Sequence, residues 1–72
     1  MNDSMREGKV CVCSGKTRLD ALEDALGWMN GFLIGGSYWL EPESTSVQYE
    51  KLAEEDGYNC ILTFIYKRKN SF

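Results

Sequence analysis

The residues with chemical potential are few, and several lie in one short segment. Ser14-Gly15-Lys16-Thr17 resembles the end of a phosphate-binding loop, but the earlier glycine of that motif would fall at position 10, which is Val10. If a strand leads into this segment and a helix follows it, backbone N–H groups together with Lys16 and Arg18 could hold one anionic group. An ordinary capped turn is the competing interpretation.

The chain has three cysteines and no histidine. Without histidine, neither a Ser–His nor a Cys–His nucleophile pair can form, which argues against an enzyme. Cys11-x-Cys13 could offer thiolates to a soft metal, but three cysteines are one short of a four-thiolate zinc site. Small apolar side chains that fill a sheet face are the simpler interpretation. We therefore expect no catalytic residue, no metal and no cofactor.

The chain length and the net charge limit the classes of function further. At 72 residues the chain is long enough for one domain, and a domain this small is often stabilised by self-association. The net charge of −3 argues against general binding to nucleic-acid backbones. No apolar run is long enough to cross a membrane and no leader is evident, so we expect a cytoplasmic protein, in keeping with an odd number of thiols.

A long amphipathic helix is predicted over Thr17–Leu33. Thr17 is a good N-cap, and Gly35-Gly36 provides a left-handed stop. The helical spacing of one apolar set predicts the face that packs on the core. That set is Leu19, Leu22, Leu26, Met29 and Leu33.

Three strands are predicted at Lys9–Cys13, Thr45–Leu52 and Tyr58–Tyr66. The order strand, helix, strand, strand predicts an α+β fold of βαββ type, with one amphipathic helix on a three-stranded mixed sheet. The last strand is apolar on both faces, which favours a central place antiparallel to both neighbours. Residues 9–69 form this single domain, and residues 1–8 are expected to be a flexible tail.

One helix covers only one face of such a sheet. The opposite face would carry Ile61 and Ile65, and their exposure forfeits roughly 3–6 kcal/mol of burial. We therefore expect a homo-oligomer. Residues 35–44 contain Pro42 and are predicted to be irregular. Trp39 in this segment either covers the helix end as a lid or belongs to an interface or ligand site.

The helix end Trp28–Leu33, the strand Val47-Gln48-Tyr49 and the closing segment Tyr58–Lys69 resemble a family of very small sporulation proteins of Gram-positive spore formers and their phages. The resemblance implies the same element order and no catalytic residues, and residues 35–44 depart from it. The element order, with Trp39 after the helix, also resembles dodecins. That resemblance implies an oligomer that stacks a flavin on a strand tryptophan.

Two hypotheses for function follow. In the first, a small non-enzymatic oligomer, possible in a phage, sequesters a flat anionic molecule such as a nucleotide-type host defence signal at a subunit interface. In the second, the chain is a protein-interaction module that inhibits a host protein or assists spore assembly. The candidate ligand-binding residues are Trp39, Tyr38, Trp28, Lys16, Arg18, Lys67, Arg68 and Lys69.

Overall fold

One helix lies on a three-stranded sheet in a computed structural model that describes residues 6–53 and 56–68. The strands are Arg6–Gly15 (β1), Tyr38–Lys51 (β2) and Tyr58–Arg68 (β3), and the helix is Arg18–Gly36 (α1). The sheet order is β1-β3-β2, with β3 antiparallel to both neighbours. The predicted βαββ order and the central place of β3 are confirmed. The predicted mixed sheet is wrong, because β3 separates the two strands that run in the same direction.

All three strands extend beyond their predicted limits, β3 by two residues to Arg68. β1 begins at Arg6, inside the segment expected to be a flexible tail, and residues 1–5 of that tail lie outside the described residues. β2 begins at Tyr38, so the segment predicted to be irregular is largely strand. Pro42 falls where the pairing of β2 with β3 shifts, between Glu41 and Ser46. An edge strand tolerates a proline there because the missing N–H is not needed by a neighbour.

The predicted helix is confirmed, with a later end. Thr17 is the N-cap, and its side-chain oxygen accepts a hydrogen bond from the backbone N–H of Asp20 at 3.1 Å. At the other end the left-handed residue is Ser37, with φ of 57°, rather than a glycine. Gly36 is needed for a different reason. The Tyr38 ring folds back onto the last helical turn and occupies the place of a Cβ there.

The core lies between the helix and the central strand. Its buried helix residues are Ala21, Ala25 and Met29, and its largest fully buried side chains are Phe64 and Leu62 on β3. Small alanines let the helix axis approach the sheet closely. The helix packs mainly on β1 and β3.

The predicted leucine stripe is therefore only partly correct. Leu22 and Leu33 pack against the core, but Leu19 and Leu26 are exposed. At 100° per residue these leucines form one flank of the helix. The other flank carries Trp28, which lies beside β1, so the leucine flank is on the side of β2, the strand that the helix covers least.

The sheet face opposite the helix, which we call the open face, has no layer over it within the described chain. Val10 and Val12 of β1 are 58% and 56% exposed there, and Ile61 and Ile65 of β3 are half-buried. The expectation that one helix leaves Ile61 and Ile65 partly wet is confirmed. The valines make the uncovered apolar area larger than the isoleucines alone.

Replacement of Leu62 by alanine should lower the free energy of unfolding by about 2–5 kcal/mol, because Leu62 is fully buried beneath the helix. Urea unfolding followed by circular dichroism measures the change. Ile34→Ala is the matched control, since Ile34 is 79% exposed and should leave stability within about 0.5 kcal/mol. Equal losses in both variants would contradict this description of the core.

Candidate functional site

The predicted binding residues do not converge on one pocket in a single copy. Register pairs Tyr38 with Arg68 and Trp39 with Lys67, so four of them meet at one corner of the sheet. Trp28 lies on the helix flank next to β1. The other two described cations lie at the opposite end of the helix, and Lys69 is outside the described residues.

The corner is divided between the two faces of the sheet. Successive side chains on a strand point to opposite faces. Tyr38 and Arg68 lie on the helix side, where they line a small cavity with Tyr66. Trp39 and Lys67 lie on the open face. The interpretation of Trp39 as a lid on the helix end is therefore wrong, because the tryptophan is on the far side of the sheet.

The helix side of the corner is filled by aromatic rings. The Tyr38 ring centroid lies 4.5 Å from that of Tyr66 and 5.1 Å from that of Phe32. The Tyr66 hydroxyl donates a hydrogen bond of 2.8 Å to Glu7, and this bond raises the pKa of Tyr66. The adjoining cavity measures about 20 Å³, which is room for one water molecule and not for a nucleotide.

The open side of the corner can offer a stacking surface beside positive charge. Trp39 is 55% exposed, and Lys67 is its direct neighbour on β3. On the other side of Lys67, the Arg6 guanidinium forms a two-point ion pair with Glu41, with 2.9 Å between Nη2 and Oε1. The hydrogen bond from Arg6 lowers the pKa of Glu41. Lys67 also acts on this carboxylate, since its positive charge further lowers the pKa of Glu41.

A second aromatic surface lies on the helix flank next to β1. Trp28 stacks on Phe32 with 5.5 Å between ring centroids. The Lys9 ammonium lies 5.0 Å from the Phe32 centroid and 5.7 Å from that of Trp28. Sequence reasoning missed Lys9 as a partner of these rings. The alternation of side chains along β1 could have identified it. Lys9 lies two residues before Cys11, so both side chains point to the face of the sheet that the helix covers.

Lys16 and Arg18 belong to the far end of the helix. Arg18 lies over the Tyr58 ring at 5.6 Å from its centroid, and Lys51 lies over the same ring at 5.3 Å. The segment before the helix is a turn capped by Thr17, and the binding of an anionic group by Lys16 and Arg18 there stays a prediction. A Cβ at Gly15 would lie 2.6 Å from the backbone nitrogen of Ala21, so glycine is required where β1 meets the first helical turn.

The three thiols lie together on the helix side of the sheet. Cys11 Sγ lies 3.7 Å from Cys13 Sγ, and Cys13 pairs with Cys60 across β1 and β3. Burial, with a smaller contribution from the Cys13 thiol, raises the pKa of Cys11 to about 11, and burial also raises the pKa of Cys60. Within the described residues, no group of three or more potential ligands has the arrangement that a metal ion needs. The geometry is that of packed thiols.

Comparison of the chain with protein-family models, with curated proteins and with solved structures finds no match. The resemblance to the sporulation family and to dodecins therefore stays a prediction. Among helices in the described part of the chain, none combines the length and apolar character needed to cross a bilayer.

The arrangement of the thiols predicts their order of reaction. With iodoacetamide at pH 8, Cys13 should be alkylated first, because it is only half-buried, whereas Cys11 and Cys60 are buried and their raised pKa values keep them protonated. Peptide mapping by mass spectrometry measures the order. The same reaction in urea should modify all three. Early labelling of Cys11 in the native protein would contradict the packing described here.

Proposed function

We propose that this protein is a non-enzymatic binding protein that works as a homo-oligomer and sequesters a flat anionic small molecule at a subunit interface. Nucleotides and flavins are the chemical class with this combination of a stacking ring and phosphate charge. In a phage, such a chain would act on a host defence signal by removing it from solution. Sequestration requires affinity and abundance, and it requires no catalytic group.

One observation carries this proposal. At the corner of the sheet, two aromatic side chains lie directly opposite two cations across β2 and β3, with Trp39 and Lys67 on the open face. An indole supplies a large flat surface for a ring system, and an ammonium within one strand spacing supplies a partner for a phosphate. Arg68, on the helix side of the same corner, adds positive charge at the strand end.

The oligomer is part of the proposal because one copy offers no enclosure. The small corner cavity holds only a water molecule, and 55% of Trp39 is exposed to solvent in one copy. A ligand bound to one copy alone would bury little of its area, and small-molecule sites ordinarily bury most of the ligand. A second copy over the open face would supply the missing wall.

The test is titration of the purified protein with a panel of cyclic nucleotides, linear nucleotides and flavins, read by tryptophan fluorescence. The chain has two tryptophans, so single replacements assign the signal. Trp28→Phe should keep both the response and the affinity. Trp39→Phe should lose the response and weaken binding measured by calorimetry. A flat response to the whole panel would end the proposal.

Charge replacements at the corner refine this test. Lys67→Gln should raise the dissociation constant for the responding ligand about tenfold, the size expected when one charge-assisted contact is lost. Lys51→Gln is the matched control, because Lys51 lies at the opposite end of the sheet over Tyr58. Equal effects of both replacements would indicate attraction by overall charge rather than a site.

A protein-interaction module is the second candidate, and the sheet order favours it. β1 and β2 are both edge strands, which can pair with a strand of another protein. Such a partner should be recovered in stoichiometric amount from host extract and lost on Trp39→Ala. Light scattering separates the candidates, because a sequestering oligomer forms without a partner and a docking module can remain a monomer.

A further inference from the structure

The open face has a charge pattern that runs along the strands. Its side chains form rows across the sheet, each with one residue from every strand. At one end lies the cationic row, which contains Arg6, Lys67 and Trp39. Arg6 is paired with Glu41 of the next row, so Lys67 carries the net positive charge of this end. At the other end lies the acidic row, which contains Asn59 and Glu50, with 3.5 Å between the Asn59 amide nitrogen and a Glu50 carboxylate oxygen. Positive and negative ends are therefore separated by about 27 Å.

In the middle of the open face, the polarity of the side chains changes from one edge of the sheet to the other rather than along the strands. Its β1 and β3 side is apolar, with Val10 and Val12 on β1 and Ile61 and Ile65 on β3. Its β2 side is polar, as at Gln48, which is paired with Ile61. A surface that covers this face must therefore match both the charge pattern along the strands and the apolar-to-polar pattern across them.

We infer that the open face binds the open face of a second copy, through a two-fold axis that lies between the sheets and is perpendicular to the strands. This operation reverses the strand direction and leaves each strand over its own counterpart. This inference gives the geometry of the homo-oligomer on which the proposed function rests. Its tests need no ligand, so it can fail or hold separately from ligand binding. Two such sheets would pack about 10 Å apart, as in a sandwich.

Both patterns are matched by this axis. The cationic row of one copy lies against the acidic row of the other, so Lys67 lies over the partner's Asn59 and one strand spacing from the partner's Glu50. The apolar half lies on the apolar half, with Ile61 over the partner's Ile65 and Val12 over the partner's Gly8, where a glycine leaves room for a side chain. An anion bound at the Trp39 corner would take the place of the partner's Glu50.

The alternative two-fold axis, parallel to the strands, matches neither pattern. It would place the cationic row on itself, with Lys67 against the partner's Lys67. It would also place the valines of β1 over the polar side of β2, near the partner's Gln48. Like charges in contact and buried unpaired amides both oppose association.

The open face is smaller than a standard interface. It spans about 27 Å between its end rows and three strands across, which gives a projected area on the order of 500 Å². A standard interface buries about 800 Å² on each partner, so the pair depends on the match between its apolar and charged parts rather than on its area.

The first test is the mass of the full chain in solution, measured by sedimentation over a range of concentrations. We expect a dimer. Val12→Glu should raise its dissociation constant at least about tenfold, because a carboxylate enters the apolar half of the interface. Ile34→Glu is the matched control, since Ile34 is equally apolar and 79% exposed, but on the helix. It should leave the dimer intact, with circular dichroism confirming the fold of both variants.

The second test fixes the axis and does not depend on the folding of Val12→Glu. A carbodiimide should join Lys67 to Glu50 through an amide bond, and mixed isotope-labelled copies should show that the link is between chains. Lys67→Glu and Glu50→Lys should each weaken the dimer, and the double variant should restore it. A parallel reaction with a bifunctional amine-reactive reagent tests the other axis, which would join Lys67 to the partner's Lys67. A monomer at every concentration, loss of the dimer on Ile34→Glu alone, or a dominant Lys67-to-Lys67 link in that reaction would overturn the inference.

Discussion

The structure depends on the contact between one helix and the two strands that it can cover. A helix about 10 Å wide shields roughly two strand spacings, whereas the sheet of the described residues has three strands and two faces. The alanines Ala21 and Ala25 let the helix lie close to β3, which buries Phe64 fully. The same close fit leaves the open face without a layer in the described chain and covers the inner side of β2 only in part, with Val47 and Tyr49 each 40% exposed. The buried core and the uncovered apolar surface thus have one origin.

The two faces of the sheet explain why the candidate binding residues at the corner do not form one pocket. The helix side of the corner closes over rings, with Tyr38 packed against Phe32 and Tyr66, and so leaves space for one water. The open side keeps Trp39 and Lys67 at the surface. A binding role for these two is therefore tied to whatever covers the open face. The proposed ligand site therefore depends on how the proposed oligomer is arranged.

Much of the fold could be predicted from the sequence, because period and caps are local signals. The helix, its Thr17 cap and the two-sided apolar strand β3 were all predictable in this way. The exposed Leu26 was not, because helical spacing shows which residues share a face but not which edge of that face the sheet reaches. The strand through Pro42 was also missed, since its position at an edge is a property of the pairing. The site residues were chosen by type, and type does not reveal that neighbours such as Trp39 and Tyr38 point to opposite faces.

The shift in pairing between Glu41 and Ser46 has a consequence for the protein at high concentration. Sheets with two straight margins can add strand after strand and grow into fibres. Here the outer margin of β2 is interrupted at Pro42, which offers no N–H to an incoming chain. Lateral growth on that side would stop within a few residues. A chain with this much exposed apolar surface can therefore form a closed assembly rather than a fibre.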